Sequence, residues 1–488
     1  MRCPRGRERP PPVKPQILQR LIDAVSQSLS RAPGDTQERE RRRDQRREQR
    51  RARLLTGLCR ALLSERGEVA GARLAREALS AWQEMDRESS ATFFDVLADE
   101  FSPDPEAIAQ CAEAYRESPT QTNLVRLQKA VLAPRLALFQ RLNMAPGGTA
   151  QIVEMRRRVL AQVRAKPHWA GIESDLSRLL GSWFNRGFLV LQRIDWHTSA
   201  MVLEKLIEYE AVHEIQGWND LRRRLAADRR CYAFFHPALP DEPVIFIEVA
   251  LTRGMSASVQ PLIDPASPVC DPAAADCAVF YSITNCQEGL RGISFGNLLI
   301  KQVAEDLGRE FPRIRTFATL SPIPGFRAWL DKASREPTFA AQADVPGVIA
   351  SLDTPSWSEN AALRDALQPT LTRLCAHYLV TAKHGVEPLD SVARFHLGNG
   401  ARLERLNWLA DTSSAGMSRS AGLMVNYVYR LDDVERNHEA YANEHRVIAS
   451  RRIESLARDA VGAPPKIEDK AQYADASTLP TATLPAVP

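Results

Sequence analysis

At 488 residues the chain exceeds the roughly 250–300 residues at which one hydrophobic core stops growing, so two domains are expected, and an apolar share of 44% can fill them. A formal charge of +4, from 64 basic and 60 acidic residues, excludes a generally basic nucleic-acid coat, and no run reaches the ~18 apolar residues of a membrane span. The eight cysteines, Cys3, Cys59, Cys111, Cys231, Cys270, Cys277, Cys286 and Cys375, form no CxxC pair, which argues against a zinc ribbon or a disulfide framework and suits reduced thiols.

Residues 1–14 are basic and proline-rich without the apolar region of a signal peptide, and are expected to be disordered. From 15 to 180 the apolar residues recur at helical spacing, as in Leu54, Leu55, Leu58, Leu62 and Leu63, or Phe93, Phe94, Val96 and Leu97. Breaks at Ser102-Pro103-Asp104-Pro105 and Pro146-Gly147-Gly148 divide this half into an all-α bundle of five to eight helices. Within it, Arg39 to Arg53 carries nine arginines against three acids at spacings of three and four, the pattern of a solvated, ion-paired helix or an arm.

The pattern changes after Trp196. Helices near Met201 to Ala211 and Asp220 to Ala227 precede two β-branched and aromatic runs, Arg230 to Phe235 and Pro243 to Leu251, which read as a hairpin. A third strand, Ala278 to Ile283, leads through a glycine-bearing turn into an apolar stripe at Leu299, Ile300, Val303 and Leu307, read as one helix. The strand beginning at Thr316 follows, completing a βαβ unit. Ala328 to Tyr378 reads as loop and helix, and Gly422 to Leu431 as a late strand, so that 181–462 form an α/β domain. The Pro-, Ala- and Thr-rich tail 463–488 is expected to be disordered and ends without a peroxisomal tripeptide or prenylation box, so a cytoplasmic location is expected.

Three places could carry chemistry. The run TFATLSPIPGF stops at Ser321 because two prolines within the next three residues cannot continue a strand, which presents a hydroxyl at a strand end. That serine is either a turn residue or a catalytic one. The loop Arg291-Gly292-Ile293-Ser294-Phe295-Gly296-Asn297, between a strand and a helix, could bring backbone amides to an anion such as a pyrophosphate; it fits neither a P-loop nor GxGxxG. His396 lies beside Gly398 and Gly400 in a stretch read as having little helix or strand character. It is either structural or a general acid. None of the nine histidines pairs as HxH or HExxH, so metal ligation is not expected.

Taken together, FYSITNCQEGLRGISFGNLLIKQV, FATLSPIPGF, ARFHLGNGARLERLNWLAD and GLMVNYVYRLDD, with RCYAFFHPALPDEPVIFIEVALTRGMS before them, closely resemble, in that order, the catalytic half of the malonyl-CoA decarboxylases. The likeness covers most of 180–440, and the helical half resembles that family's oligomerisation domain by pattern. It implies an α+β chain: a helical bundle, then a GCN5-related acetyltransferase (GNAT)-like catalytic domain. It further implies that Ser321, His396 and Tyr429 match active-site residues and that Arg291 to Asn297 match the acyl-CoA-binding segment. One departure stands out: some members carry glutamate where this chain has Ser294. The expected reaction converts malonyl-CoA to acetyl-CoA and CO2 in a homo-oligomer, without metal or organic cofactor, because the thioester is its own electron sink. The alternatives are an acyl-CoA-dependent N-acyltransferase and a non-catalytic scaffold using the arginine-rich helix.

Overall fold

The computed structural model describes residues 33–64, 67–293, 299–337, 345–354 and 356–460. The expected disordered ends, 1–14 and 463–488, and Ser294 to Asn297 of the glycine loop lie outside them. The chain forms two compact units, Met1–Ile152 with Arg158–Leu176, and Val153–Arg157 with Ser177–Pro488.

The first unit is helical, as its periodicity implies. It contains α1 (Pro33–Ser64), α2 (Glu68–Gln83), α3 (Arg87–Glu100), α4 (Pro105–Glu117), α5 (Gln121–Ala130) and α6 (Pro134–Leu142). It also takes in most of α7 (Gly148–Leu160) and part of α8 (Ala170–Trp183). Helix starts follow cap chemistry: Asp86 accepts from Ser89 N–H at 2.8 Å, and Asp104 caps α4 with Pro105 in its first turn. Leu55, Cys59 and Leu62 are buried on one face of α1 while Leu54 is 60% exposed, and Trp82, Phe93, Phe94 and Trp169 fill the core with tilted and edge-on aromatic contacts. The arginine run lies within α1, with Arg46, Arg47, Arg50 and Arg53 exposed, as a solvated helix requires.

The second unit is built on an eight-stranded sheet in the order β1-β2-β3-β4-β5-β10-β6, with β9 on the other side of β10. In chain order it contains β1 (Val190–Ile194), α9 (Ala200–Tyr209), α10 (Trp218–Arg224), β2 (Arg229–Phe235), β3 (Pro243–Thr252) and β4 (Cys277–Asn285). Next come α11 (Leu299–Glu310), β5 (Thr316–Thr319), β6 (Ser321–Pro322), α12 (Phe326–Ala333), α13 (Val345–Leu352) and α14 (Ala361–Val380). A small hairpin β7 (Lys383–His384) and β8 (Glu387–Pro388) leads to α15 (Ser391–Gly398), β9 (Arg402–Asn407), α16 (Ser414–Ser420), β10 (Met424–Tyr429), α17 (Val434–Glu444) and α18 (Arg451–Arg458). The whole is α+β, a helical unit followed by a mixed-sheet unit.

The hairpin and the βαβ unit form as expected: β2 and β3 are antiparallel, and β4 and β5 are parallel with α11 between them. The small hairpin of β7 and β8 was not expected, nor were two strands of the main sheet. β1 precedes Trp196 and lies on the sheet edge with three of its five residues exposed, so it shows no apolar alternation. β9 carries Arg402, Glu404 and Arg405, which long-range pairing with β10 holds in a strand against weak local preference.

Pairing of β4 with β5 ends at Phe280 and Thr319, although β4 runs on to Asn285. Beyond that point, among the described residues, β6 pairs only with β10. The carboxyl ends of the two parallel strands are therefore unpaired with each other, and Ser321 sits where they part.

Candidate active site

Side chains alternate along a strand, so Phe317, Thr319 and Ser321 share one face. Antiparallel pairing of Tyr429 with Phe317 and of Val425 with Ser321 puts Val425, Tyr427 and Tyr429 on that same face. Opposite Thr319 and Leu320 the ladder lapses, and side chains satisfy the backbone instead. Asn426 Nδ2 donates to the Thr319 carbonyl at 2.6 Å, and Tyr427 N–H donates to Thr319 Oγ1 at 3.2 Å.

His396 comes from α15. Asp390 caps that helix by accepting from Ala393 N–H at 2.8 Å, and Tyr378 of α14 donates to the Asp390 carboxylate at 3.3 Å. The helix closes at Asn399 and Gly400. Gly400 has φ +80°, and a Cβ there would lie 2.1 Å from the Val434 carbonyl oxygen, so only glycine fits. His396 is thus in the last turn of a helix and not in a glycine-rich loop; the glycines terminate the helix. Gly400→Ala is expected to destabilise the protein by about 2 kcal/mol or more, through combined strain and collision, and to lower the melting temperature by about 5 °C or more. An unchanged melt would contradict this backbone geometry.

Three residues expected from the sequence meet here. Ser321 Oγ and His396 Nε2 are 2.9 Å apart across 75 positions of chain, and His396 Nδ1 is 2.8 Å from Tyr429 Oη. Ser321 Oγ also donates to Thr319 Oγ1 at 2.8 Å. The His396 ring stacks on Tyr427 with centroids 4.5 Å apart and planes at 27°. All are buried: Ser321 is 5% exposed, His396 3% and Tyr429 2%.

Two electrostatic effects oppose each other at His396. The carboxyl end of a helix favours an imidazolium, by ~2 kcal/mol at most, whereas full burial without a carboxylate partner disfavours it by more. Burial wins, and the imidazole pKa is pushed down to about 3, so the ring is neutral. Burial likewise holds the Tyr429 hydroxyl well above its usual pKa and therefore protonated.

The described part of the glycine loop is anchored elsewhere. Buried Arg156 donates to the carbonyls of Gly289 and Arg291 at 2.7 and 2.9 Å, and Gly289 packs so closely on the Val153 carbonyl that no Cβ could be added. Gly292 takes φ +80° and Ile293 is buried. Among the described residues no hydrogen bond joins Arg291, Gly292 or Ile293 to the serine–histidine–tyrosine trio; Ser294, Phe295, Gly296 and Asn297 lie outside them. Sequence reading missed Thr319, Tyr427 and Asp390. Period two was the available signal for the first pair, since each lies two residues before a residue that was found.

Comparison with known proteins gives one answer along the chain. Residues 187–466 match the malonyl-CoA decarboxylase C-terminal domain and residues 101–184 the malonyl-CoA decarboxylase N-terminal domain. The chain is 36% identical over 399 residues to a mitochondrial malonyl-CoA decarboxylase of Anser anser anser, covering 75% of this chain and 79% of that one. It is 37% identical over 356 residues to the mitochondrial enzyme of Rattus norvegicus, with coverage of 68% and 72%. The crystal structure of malonyl-CoA decarboxylase from Rhodopseudomonas palustris superposes with a TM-score of 0.80 at 48% identity, over 83% of this chain and 99% of that one. No helix among the described residues is long and apolar enough to cross a membrane.

Proposed function

Because the chain belongs to the malonyl-CoA decarboxylase family, whose reaction yields acetyl-CoA and CO2, we propose that Ser321 and His396 carry out this reaction here, assisted by Tyr429. The observation that carries the reading is the buried chain of contacts from Ser321 through His396 to Tyr429, at the point where β4 and β5 part.

When the bond between the carboxylate and the α-carbon breaks, its electron pair passes into the thioester as an enolate, so the substrate supplies the electron sink and no other cofactor is needed. The protein must hold the carboxylate, stabilise the oxyanion and protonate carbon. Ser321 donates a hydrogen bond to the malonyl carboxylate. His396 then gives the Nε2 proton to the α-carbon, the N–H electron pair staying on nitrogen. Tyr429 passes its hydroxyl proton to Nδ1, so the ring is neutral before and after, as its surroundings demand. A proton from solvent then reaches Nε2 while Nδ1 returns its proton to Tyr429, which restores the starting tautomer and balances the one proton the reaction consumes. A site so little exposed also limits access of bulk water to the enolate and strengthens each of these contacts.

The acyl-CoA pyrophosphate is assigned to Arg291 through Asn297. Self-association as a dimer or tetramer is assigned to the helical segment 15–180. The biological role proposed is control of malonyl-CoA level in fatty-acid or malonate metabolism, and the seven described cysteines, all unpaired, are in keeping with a reducing compartment such as the cytoplasm.

Turnover of malonyl-CoA in D2O by chelator-treated protein tests the mechanism. Acetyl-CoA carrying one deuterium in its methyl group, formed as fast as by untreated protein in D2O, is the expected result. Loss of activity restored by added metal would remove the cofactor-free mechanism.

A further inference from the structure

Thr319 is fully buried, and its hydroxyl oxygen is approached by two donors, the Ser321 hydroxyl at 2.8 Å and the Tyr427 backbone N–H at 3.2 Å. A hydroxyl has two lone pairs and one hydrogen, so both acceptor positions are filled. The serine's single hydrogen is thereby held by Thr319 and is not available to His396. The 2.9 Å contact between Ser321 Oγ and Nε2 then requires the hydrogen to be on nitrogen. A neutral imidazole with Nε2–H has a bare Nδ1, which accepts from Tyr429 Oη–H at 2.8 Å. Every bond in the chain runs one way, from Tyr429 to His396 to Ser321 to Thr319.

We propose that Thr319 is a positioning residue: by holding the Ser321 hydrogen it fixes His396 as the Nε2–H tautomer, which suits the pair to protonating carbon and keeps the serine from acting as a nucleophile. A nucleophilic serine needs the opposite wiring, with its hydrogen directed at a bare Nε2. Here Nε2 already carries the proton that the enolate takes up. Substrate binding needs only rotation about the Ser321 Cβ–Oγ bond, the carboxylate replacing Thr319 as acceptor while Nε2 keeps its hydrogen. The ladder lapse opposite Thr319 contributes to this arrangement, because it leaves the Tyr427 N–H to occupy the second lone pair of Thr319. The functional part of this inference rests on Ser321 and His396 being the reacting pair; the tautomer does not.

The test combines 15N NMR of histidine-labelled full-length protein with kinetics of Thr319→Val and Thr319→Ser. Wild type and Thr319→Ser are expected to show His396 protonated at Nε2. In Thr319→Val the serine hydrogen is released toward Nε2, and the ring should move to the Nδ1–H tautomer. Its decarboxylation kcat should fall about tenfold, the kinetic equivalent of one neutral hydrogen bond, and Thr319→Ser should restore it. The same variant should release free CoA thiol from malonyl-CoA: Ser321 Oγ bonds to the thioester carbon, its proton passes to Nε2, the C–S bond breaks with that proton going to sulfur, and water then frees malonate. An Nδ1–H tautomer in wild type would overturn the proposal, as would an unchanged tautomer and product ratio in Thr319→Val. If Thr319→Val does not fold, the wild-type spectrum and Thr319→Ala decide in its place. Activity retained in His396 variants would remove the catalytic reading while leaving the tautomer measurement standing, so the two failures are distinguishable.

Discussion

Replacing His396 by asparagine should lower the kcat for malonyl-CoA decarboxylation by about 10²–10⁴-fold, the usual contribution of a positioned general acid, while KM changes only a few-fold. Asparagine can occupy the space between Ser321 and Tyr429 and still hydrogen-bond, but it carries no proton acidic enough to meet a carbanion. The same substitution bears on stability. In the folded protein His396 has a pKa of about 3 because burial disfavours its charged form, whereas in the unfolded chain it titrates near ~6.5. Between those values the unfolded state binds a proton that the folded state does not. Stability is therefore full above about pH 6.5 and falls as pH drops toward 3. His213, His236 and His377, also depressed by burial, add to the slope, so His396→Asn should flatten it in part. Urea midpoints of wild type and variant at pH 7 and pH 5 measure the difference. Parallel losses would mean that His396 is not a buried neutral imidazole, and a near-normal kcat would take it out of the mechanism.

Replacing Ser321 by alanine should reduce kcat by about 10²–10³-fold, the cost of removing one preorganised donor from a buried anionic site. Two further consequences separate this from a general loosening of the fold. Ser321→Ala leaves the Tyr427 N–H to Thr319 Oγ1 bond intact and strips only His396 Nε2–H of its acceptor, so the melting temperature should fall by no more than a few degrees. Combined with His396→Asn, it should cost little more than the more damaging single change, because the two residues act as one unit. Multiplicative losses in the double variant would show that they work independently, and the proposed coupling through their 2.9 Å contact would fail.

The helical stripe around Leu55, Cys59 and Leu62, the hairpin of β2 and β3, and the β4–α11–β5 crossover are set by short-range patterns: apolar spacing, caps and breaks. They were legible in the sequence for that reason. The serine at a strand end was legible too, since Pro322 and Pro324 stop the strand whatever surrounds it. The edge strand β1 and the charged β9 were not, because pairing with distant strands outweighs their weak local preferences.

The sequence by itself thus determined the two-part organisation, the order of elements around the site, and, through motifs that resemble one family, the candidates Ser321, His396 and Tyr429. Only the tertiary structure decided that His396 ends a helix, that its ring is neutral, and that Thr319 and Tyr427 complete its surroundings. The reason is physical: local propensity acts over a few residues, whereas burial, strand register and the direction of a hydrogen bond depend on groups 75 or more than 100 positions apart that meet only when the sheet has formed.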